Sequence, residues 1–323
     1  MKFSHYTCAL LAILSFSIFT INACQVDRWH LLSTDDHPHS PEYLSLFFFD
    51  SNHGWAINTA QLLETIDGGR IWKEKLQDDN QTFYNLEFVS VTTGFIVGTQ
   101  RKTDGQEFLI LRTKDGGASW EEIDLKSLLP NLNSRNQLQS ISFCNSDAGW
   151  SVGADSIIHT TDGGKTWSVQ RFGNDEMLWS IACTNSEQAW VVGNRGLILR
   201  TSDSGKHWNK EDTEVSKSLF RVRFSGKTGW IVGEHGTLLK LENGTGKWEQ
   251  VPLSTSEDLL NIHWSGNEGW IIGTSGIILH SIDNGKIWQQ EISPVKNDLI
   301  SLFFLPSGEG WIGGNKRTLL HLN

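Results

Sequence analysis

Five aspartates stand at the same place in a short repeated pattern, and carboxylates in glycine-rich loops can support several kinds of chemistry. The pattern is Ser/Thr-x-Asp-x-Gly-x-x-Trp, and its aspartates are Asp67, Asp115, Asp162, Asp203 and Asp283. Such groups could bind calcium or act as acid and base in hydrolysis, and "GKT" at Gly164 could belong to a phosphate-binding loop. The turns lack the alternating oxygen ligands of a calcium loop, and Gly164 lacks the P-loop glycine spacing. We therefore interpret the aspartates as structural turn formers.

The repeated turn can be explained by its backbone geometry. The aspartate accepts hydrogen bonds from N–H groups of its own turn, glycine supplies a conformation with positive φ, and the Ser or Thr hydroxyl ties the strand end to the turn. The tryptophan then folds into the space between two sheets. This arrangement is the Asp-box, and a degenerate sixth copy around Asn243 keeps only its tryptophan, Trp248.

Two series of tryptophans give the period of the repeat. The turn-closing series recurs every 40 to 48 residues and comprises Trp72, Trp120, Trp167, Trp208, Trp248 and Trp288. The second series lies mostly in Gly-Trp steps and comprises Trp55, Trp150, Trp190, Trp230, Trp270 and Trp311, with Phe95 in the remaining place. Within one unit, residues 178–212, polar turns separate four short alternating segments. The pattern predicts an all-β fold, a seven-bladed β-propeller of four-stranded antiparallel blades.

The seventh unit lacks a fourth strand of its own. After Trp311 the chain supplies one more predicted strand and no Asp-box. Near the other end, "DRWHLLST" matches the fourth strands of the other units, with Trp29 in the turn-closing position. We predict that this N-terminal strand completes the last blade of a single propeller domain, residues 24–323. Closure of this kind leaves no open sheet edge.

Two cysteines, Cys144 and Cys183, lie within the propeller. An exported protein is free to form disulfides, but the aligned first strands place Cys183 at a core position and Cys144 one residue beyond it in the neighbouring blade. Packed sheets lie about 10 Å apart, whereas a disulfide needs Cα atoms within about 7 Å. The sequence therefore predicts two free thiols.

The N-terminal segment is predicted to be a targeting signal. Lys2 precedes an apolar run that is too short for a membrane-spanning helix, so residues 1–23 are interpreted as a signal peptide. Its end, Ile-Asn-Ala-Cys, resembles a bacterial lipobox, in which Cys24 would be the lipid attachment site and the membrane anchor. Ordinary cleavage near Ala23 is the alternative. Gln25, and not Asp, follows the cysteine, so the usual signal for retention in the inner membrane of Gram-negative bacteria is absent.

The charge balance limits the kinds of partner. With 27 Lys and Arg against 37 Asp and Glu, the formal charge is −10, so no basic excess is available to neutralise a nucleic acid. Residues 35–39, "DDHPH", bring two histidines together without a partner cluster elsewhere, and are interpreted as a polar loop instead of a metal site. We predict no metal and no cofactor, and a monomer.

The Asp-boxes, the Gly-Trp-x-Val-Gly second strands and the seven blades together resemble the photosystem II stability/assembly factor family. The most similar stretches are "DAGWSVGADSIIHTTDGGKTW" and "EQAWVVGNRGLILRTSDSGKHW". The resemblance covers essentially the whole mature chain. It implies a lipid-anchored propeller facing the periplasm or the thylakoid lumen, without catalytic activity, that binds newly made reaction-centre subunits through an arginine-rich surface. An envelope propeller with an unknown client in a non-photosynthetic bacterium is an open alternative.

Asp-boxes also occur in sialidases and other glycoside hydrolases, which gives a second class of function. A sialidase needs an arginine triad, a tyrosine nucleophile with a glutamate partner, and an acid. Tyr84 shares the alternation of Leu86 and Phe88 and is assigned to the core, while Tyr43 follows Glu42 without an arginine cluster. Hydrolysis by paired carboxylates needs two of them across a cleft, and no pattern selects such a pair. A non-enzyme is predicted, with a glycoside hydrolase as the alternative.

The candidate partner surface follows from where the repeat is interrupted. Turns between second and third strands share a face with the connections between blades, and the long insertions at 35–42, from Thr99 and from Glu121 all fall on that face. Loops elaborated on a rigid scaffold usually carry binding. The basic residues expected there are Arg101, Lys102, Arg135, Arg195, His235, Lys316 and Arg317. Arg221 and Arg223, on a first strand near the channel, are further candidates, and solvated charges without a partner are the alternative.

Overall fold

Each repeat folds into one four-stranded antiparallel sheet. The structure, a computed structural model, describes residues 28–34, 42–103, 105–125, 137–154, 156–171 and 176–322. These residues form seven sheets, and the first strand of each sheet contacts the first strand of the next, around to the first sheet again. The predicted seven-bladed propeller is confirmed. Helix in the described ranges is limited to three single 3-10 turns, and none of it is long and apolar enough to cross a bilayer.

The strands follow the predicted order, with four per blade. Strand β1, His30–Ser33, belongs to blade 7. The strands of blades 1 and 2 are β2 Ser45–Phe48, β3 Gly54–Ile57, β4 Gln61–Thr65, β5 Lys73–Gln77, β6 Gln81–Phe88, β7 Gly94–Lys102, β8 Gly105–Thr113 and β9 Glu121–Glu122. Those of blades 3 and 4 are β10 Ser140–Phe143, β11 Gly149–Gly153, β12 Ser156–Thr160, β13 Ser168–Arg171, β14 Leu178–Cys183, β15 Ala189–Gly193, β16 Ile198–Thr201 and β17 Asn209–Lys210. Those of blades 5 to 7 are β18 Leu219–Ser225, β19 Thr228–Gly233, β20 Thr237–Leu241, β21 Glu249–Gln250, β22 Leu259–Ser265, β23 Glu268–Gly273, β24 Ile278–Ser281, β25 Gln289–Gln290, β26 Leu299–Phe304, β27 Gly310–Gly314 and β28 Leu319–Leu322.

The propeller presents two different faces. The box face carries the Asp-box turns, such as residues 66–71 and 282–287, together with the turns between first and second strands. The two kinds of turn are joined by hydrogen bonds, for example from Gly163 N to Asp147 O at 2.8 Å. The loop face carries the connections between blades and the turns between second and third strands, such as residues 194–196 and 315–318.

The core lies between neighbouring blades. The six second-strand tryptophans are at most 1% exposed, and they pack against first-strand residues of the next blade. Trp190 and Val192 of blade 4, for instance, share one cluster with Leu219 and Val222 of blade 5. Because each blade buries an apolar face against two neighbours, no blade has a complete core of its own, and the ring must close for every interface to be filled.

The N-terminal strand closes the ring, as predicted from its sequence. β1 pairs with β28 in antiparallel register, His30 opposite His321. Trp29 is 2% exposed and makes an edge contact with Trp270 of blade 6, with ring centroids 5.4 Å apart. The guanidinium of Arg28 lies 5.1 Å from the Trp270 ring centre. Blade 7 lacks an Asp-box, and the Arg28–Trp29 segment covers the surface that a box would cover.

The expectation of free thiols is wrong: Cys144 and Cys183 form a disulfide, with Cα atoms 5.6 Å apart. The expected spacing was that of sheets packed face to face. First strands converge on the propeller axis, however, so their neighbouring ends lie much closer than that. Cys144 lies just beyond the end of β10, where the pleat no longer fixes the direction of its side chain, and it faces Cys183 across the blade boundary.

The assignment of Tyr84 to the core is also wrong. The register of β6 shifts between Phe83 and Asn85, so Phe83 is fully buried and Tyr84 lies half-buried, its hydroxyl 3.4 Å from Gln137 Oε1. The same register shift occurs at Trp179, between Leu178 and Ser180 of blade 4. A β-bulge inserts one residue and inverts the alternation before it. Strict alternation of buried and exposed side chains therefore does not predict burial at the start of these first strands.

Candidate functional site

The Asp-box turns are closed by their own hydrogen bonds and cap the preceding blade. In blade 3 the Thr160 hydroxyl donates to Asp162 Oδ1 at 2.9 Å, and Gly164 N donates back to the Thr160 hydroxyl at 2.9 Å. Gly164 has a φ of 75°, and a Cβ there would lie 2.5 Å from the ring of Phe95 in blade 2. The box glycine thus lets the turn lie flat on the neighbouring aromatic ring. The box glycines of blades 2 and 6 lie in the same way on Trp55 and Trp230 of the preceding blades, whereas those of blades 1 and 4 meet Leu319 and Gln170.

Hydrogen bonding within the boxes stabilises the charged form of their aspartates. The Ser119 hydroxyl and N–H hold the pKa of Asp115 at about 2, and the His207 N–H and ring do the same for Asp203, also at about 2. Both values lie below the ordinary aspartate pKa, so these carboxylates stabilise the fold above the unfolded-state value, and the contribution disappears as pH falls through the folded-state value.

We therefore expect the free energy of unfolding to fall as pH is lowered from about 4 to about 2. Urea unfolding at both ends of that range measures the effect. The variant with Asp115→Asn and Asp203→Asn should show a smaller fall than the wild type, because two of the titrating groups are gone. An equal fall in the two proteins would show that these carboxylates do not contribute.

The first strands line a central cavity of about 320 Å³. Pairing registers place seven side chains, one per blade, at each of two levels. The level nearer the loop face comprises Ser45, Asn85, Ser140, Ser180, Arg221, Asn261 and Ser301. The level opposite the second-strand aromatics comprises Phe47, Glu87, Ser142, Ala182, Arg223, His263 and Phe303. Four ionisable groups thus meet in one small cavity.

The two arginines are the main source of positive charge in the cavity. Burial lowers the pKa of Arg221 to about 9, and the neighbouring charge of Arg223 acts in the same direction. Burial also lowers the pKa of Arg223, against the attraction of Glu87. Within the described residues Arg221 Nε has no hydrogen-bond acceptor, while a terminal nitrogen of Arg223 donates to Val222 O at 3.3 Å. Such groups favour an anion beside them.

The other two groups leave that positive charge largely uncompensated. Burial raises the pKa of Glu87 to about 7, although Phe143 N–H, 2.9 Å from Glu87 Oε1, and Arg223 both favour the carboxylate. Burial lowers the pKa of His263 to about 4, helped by the charge of Arg223. Near neutral pH the histidine is uncharged and the glutamate only partly charged, so the cavity is net positive inside an acidic protein.

Apolar side chains precede the cavity-lining positions at the loop-face end of five first strands, and we call this ring the mouth of the cavity. The bulged position of the first strand is half-buried in five blades, and its residues there are Tyr84, Trp179, Phe220, Leu260 and Ile300. Trp179 is fixed by a hydrogen bond from its indole N–H to Asn194 Oδ1 at 2.7 Å, and its ring contacts that of Phe220. Apolar side chains that keep exposed area around a charged cavity are typical of a binding mouth.

Four of the predicted basic residues lie in second-to-third strand turns on the loop face. Arg195, His235, Lys316 and Arg317 all have positive φ, between 51° and 56°. Arg195 donates from Nε to Glu176 Oε1 at 3.0 Å, and the His235 ring lies 3.9 Å from Asp258. Ser275 adopts the same conformation in the equivalent turn of blade 6, so the backbone of these turns does not require a basic side chain.

The remaining predicted residues are spread more widely. Arg101 is exposed near the end of β7, and Lys102 lies 3.8 Å from Glu122. Arg135, Cys24 and the residues 35–39 proposed as a polar loop lie outside the described residues. Within the described ranges no group of three or more His, Cys, Asp or Glu is close enough to hold a metal ion.

Glu87 and His263 are cavity residues that the sequence did not single out. Each lies directly opposite the second-strand aromatic of its own blade, Phe95 and Trp270, in the pairing register. Aligning the repeats on that aromatic would have placed both at the level of Arg223. Their different residue types in different repeats hid the shared position.

Comparison with known proteins places the chain among photosynthesis proteins. The family model described as "Photosynthesis system II assembly factor YCF48" matches residues 21–135, 75–175, 131–211, 167–257, 212–293 and 254–323. A "Photosystem II assembly lipoprotein Ycf48" of Synechococcus is 28% identical over 159 residues, 48% of this chain and 44% of the relative. The rice "Photosystem II stability/assembly factor HCF136, chloroplastic" is 33% identical over 143 residues, 42% and 32% respectively. The chain spans about half or less of the length of these relatives.

Solved structures of similar shape belong to several classes. The structure described as "YCF48 bound to D1 peptide" has a TM-score of 0.73 at 24% identity, and the match covers 96% of this chain and 99% of that one. A GH74 enzyme of Niastella koreensis has a TM-score of 0.71 at 12% identity, over 91% of this chain and 53% of the enzyme. These likenesses show the propeller fold, which is shared by binding proteins and enzymes. The family model, in contrast, extends over the repeats from residue 21 to residue 323, and the chain belongs to the family of the photosynthesis system II assembly factor YCF48.

Proposed function

We propose that the chain is a non-catalytic assembly factor that binds a protein client on its loop face, at the mouth of the central cavity. The proposal rests on the two buried arginines of the cavity, Arg221 and Arg223. Arg221 Nε has no hydrogen-bond acceptor among the described residues. An anionic group of a client would complement these arginines, and neighbouring apolar side chains of the client would contact the mouth.

The family supports a client from photosystem II. The named relatives are photosystem II assembly factors, and one protein of similar fold is described as bound to a D1 peptide. We therefore propose a peptide segment of a photosystem II reaction-centre subunit as the client of this chain. A propeller with a different envelope client is the alternative.

The basic turns support the loop face as the binding surface. Arg195, His235, Lys316 and Arg317 all lie in its turns between second and third strands. Loops on a rigid scaffold are common binding surfaces. Lys316 and Arg317 add positive charge to this face.

Reversing charge on the loop face should abolish client pull-down. The test variant combines Arg101→Glu and Arg195→Glu with Arg135→Glu, a residue that the sequence predicts on this face. Its thermal unfolding should match the wild type. The matched control reverses three exposed box-face lysines, Lys114, Lys165 and Lys206, and should bind normally. Persistent binding by the test variant, with loss in the control, would place the client on the box face.

The relatives described as lipoproteins support membrane anchoring, and we propose that this chain is exported and lipid-anchored at Cys24. Cys24→Ser should then move the protein from the membrane fraction to the soluble envelope fraction and abolish labelling by fatty-acid probes. Cys8→Ser, in the proposed signal peptide, is the control and should change neither. A wild-type protein that is soluble and unlabelled would contradict the anchor.

A glycoside hydrolase finds less support in the geometry. Tyr43, which would be the nucleophile of a sialidase-like site, is 5% exposed and packs against Trp72 between blades 7 and 1. Burial raises its pKa, which disfavours the phenolate. The groove beside Tyr43 is lined by two arginines, Arg70 and Arg317, at a distance in the fold from the arginines of the central cavity.

A further inference from the structure

Four of the seven exposed large apolar side chains among the described residues lie in the Asp-boxes of blades 1 and 6, and the other three are Leu31, Val91 and Ile292. Ile66 and Ile71 in the box of blade 1 are 66% and 64% exposed, and Ile282 and Ile287 in the box of blade 6 are 71% and 62% exposed. We call these four residues the isoleucine patch. At the same box positions blades 2, 3 and 4 carry lysine, threonine, serine or histidine. Isoleucine at these two box positions is thus specific to blades 1 and 6 and is not a requirement of the Asp-box.

Those two blades flank blade 7, where the N-terminal strand enters. Arg28 precedes Trp29 as Ile71 precedes Trp72 and Ile287 precedes Trp288. The N-terminal chain therefore reaches the propeller on the box face, between the two isoleucine-bearing turns. Cys24 precedes Arg28 by four residues, a reach of at most about 14 Å for an extended chain.

We infer that the isoleucine patch is a membrane-contact surface that rests on the lipid bilayer beside the Cys24 anchor. The inference rests on the proposed anchor and adds an orientation to it. A tether this short holds blades 6, 7 and 1 against the membrane, box face down, and large β-branched side chains there would enter the interfacial region. The loop face and its cavity then point away from the bilayer, open to a client.

The charges around the patch are compatible with a lipid surface. The two box aspartates are hydrogen-bonded within their own turns. Asp67 accepts a hydrogen bond from Ile71 N–H, and Asp283 accepts one from Ile287 N–H. Arg70 and Lys286 immediately precede these isoleucines and would attract anionic headgroups. The nearby carboxylate of Glu309 is hydrogen-bonded to the Ser51 hydroxyl and to the His321 ring.

The test measures depth in the bilayer at two equivalent box positions. The acylated mature chain carries either Ile282→Cys or Thr161→Cys and is labelled there with an environment-sensitive fluorophore. It is then reconstituted into vesicles of phosphatidylcholine and phosphatidylglycerol that carry nitroxide-labelled acyl chains. The native disulfide leaves Cys144 and Cys183 unreactive when no reductant is added. The label at 282 should be quenched severalfold more strongly than the label at 161, three blades away.

The outcomes separate this inference from the anchor and from other occupants. A chain that loads onto vesicles with equal quenching at 282 and 161 keeps its anchor and overturns the membrane-contact surface. If the chain is not acylated and does not load onto vesicles, the proposed anchor at Cys24 is itself wrong. A dimer in sedimentation that protects position 282 without lipid quenching would assign the patch to a second copy of the chain.

Replacing all four isoleucines with serine should lower the lipid quenching of a label attached at Arg70→Cys. The control replacement Ile292→Ser, at an exposed apolar residue outside the box turns, should not lower it.

Discussion

Deleting residues 28–33 is expected to lower the free energy of unfolding by at least about 4 kcal/mol, since it removes a strand and a buried tryptophan together. Trp29 is 2% exposed and contacts the rings of Trp270 and Phe304, so its loss opens the interface between blades 6 and 7. The deletion also exposes the edge of β28, and an unpaired edge promotes association between chains.

Point variants separate the strand from its tryptophan. Trp29→Ala alone should cost about 3 to 5 kcal/mol, whereas Leu31→Ala, at a 42% exposed position of the same strand, should change stability by less than about 0.5 kcal/mol. Denaturant unfolding followed by tryptophan fluorescence measures each. If the truncated protein unfolds like the wild type, the ring is closed by another contact.

Replacing both cavity arginines, Arg221→Met with Arg223→Met, should weaken binding of a carboxylate-bearing client peptide by roughly 30-fold or more, corresponding to about 2 kcal/mol or more for a buried charge that loses its partner. Methionine keeps much of the side-chain volume. Because burying charge is costly, the variant should be as stable as the wild type or more stable. Titration calorimetry with the peptide and a thermal melt make the two comparisons. Unchanged affinity would show that the cavity does not take part in binding.

The pH dependence of that binding follows from Glu87. Its pKa is raised to about 7, so the side chain is neutral below that pH and partly cancels the arginine charge above it. Peptide affinity should therefore rise as pH falls from about 8 to about 6, and Glu87→Gln should remove the dependence. The raised pKa also means that ionising Glu87 costs folding stability as pH rises toward about 7, a loss that the glutamine variant avoids.

The fold was predictable because its signals are local and repeated. Each Asp-box and Gly-Trp step specifies one turn and one buried ring, and their spacing sets the number of blades. The register at the start of the first strands was not predictable, because a bulge at Tyr84 or Trp179 depends on how neighbouring blades fit. The Cys144–Cys183 disulfide depends on how close neighbouring first strands lie near the propeller axis, and this distance cannot be obtained from the sequence.

The candidate site was only half predictable for the same reason. Arg221 and Arg223 could be recognised as charges on an otherwise apolar strand. Glu87 and His263 share their cavity only because the ring brings blades 2, 5 and 6 together. Their perturbed pKa values come from burial in that shared cavity, a property that belongs to no single repeat.

Site-specific photo-crosslinking in cells can show whether a protein client binds at the loop-face mouth of the cavity. A photoreactive phenylalanine analogue replaces Phe220 at the mouth or, as the control, Lys165 on the box face. We expect a crosslinked client from position 220 and none from position 165, and we expect the product to be lost when Arg221 and Arg223 are replaced. Crosslinks from position 165 with none from position 220 would contradict binding at the mouth.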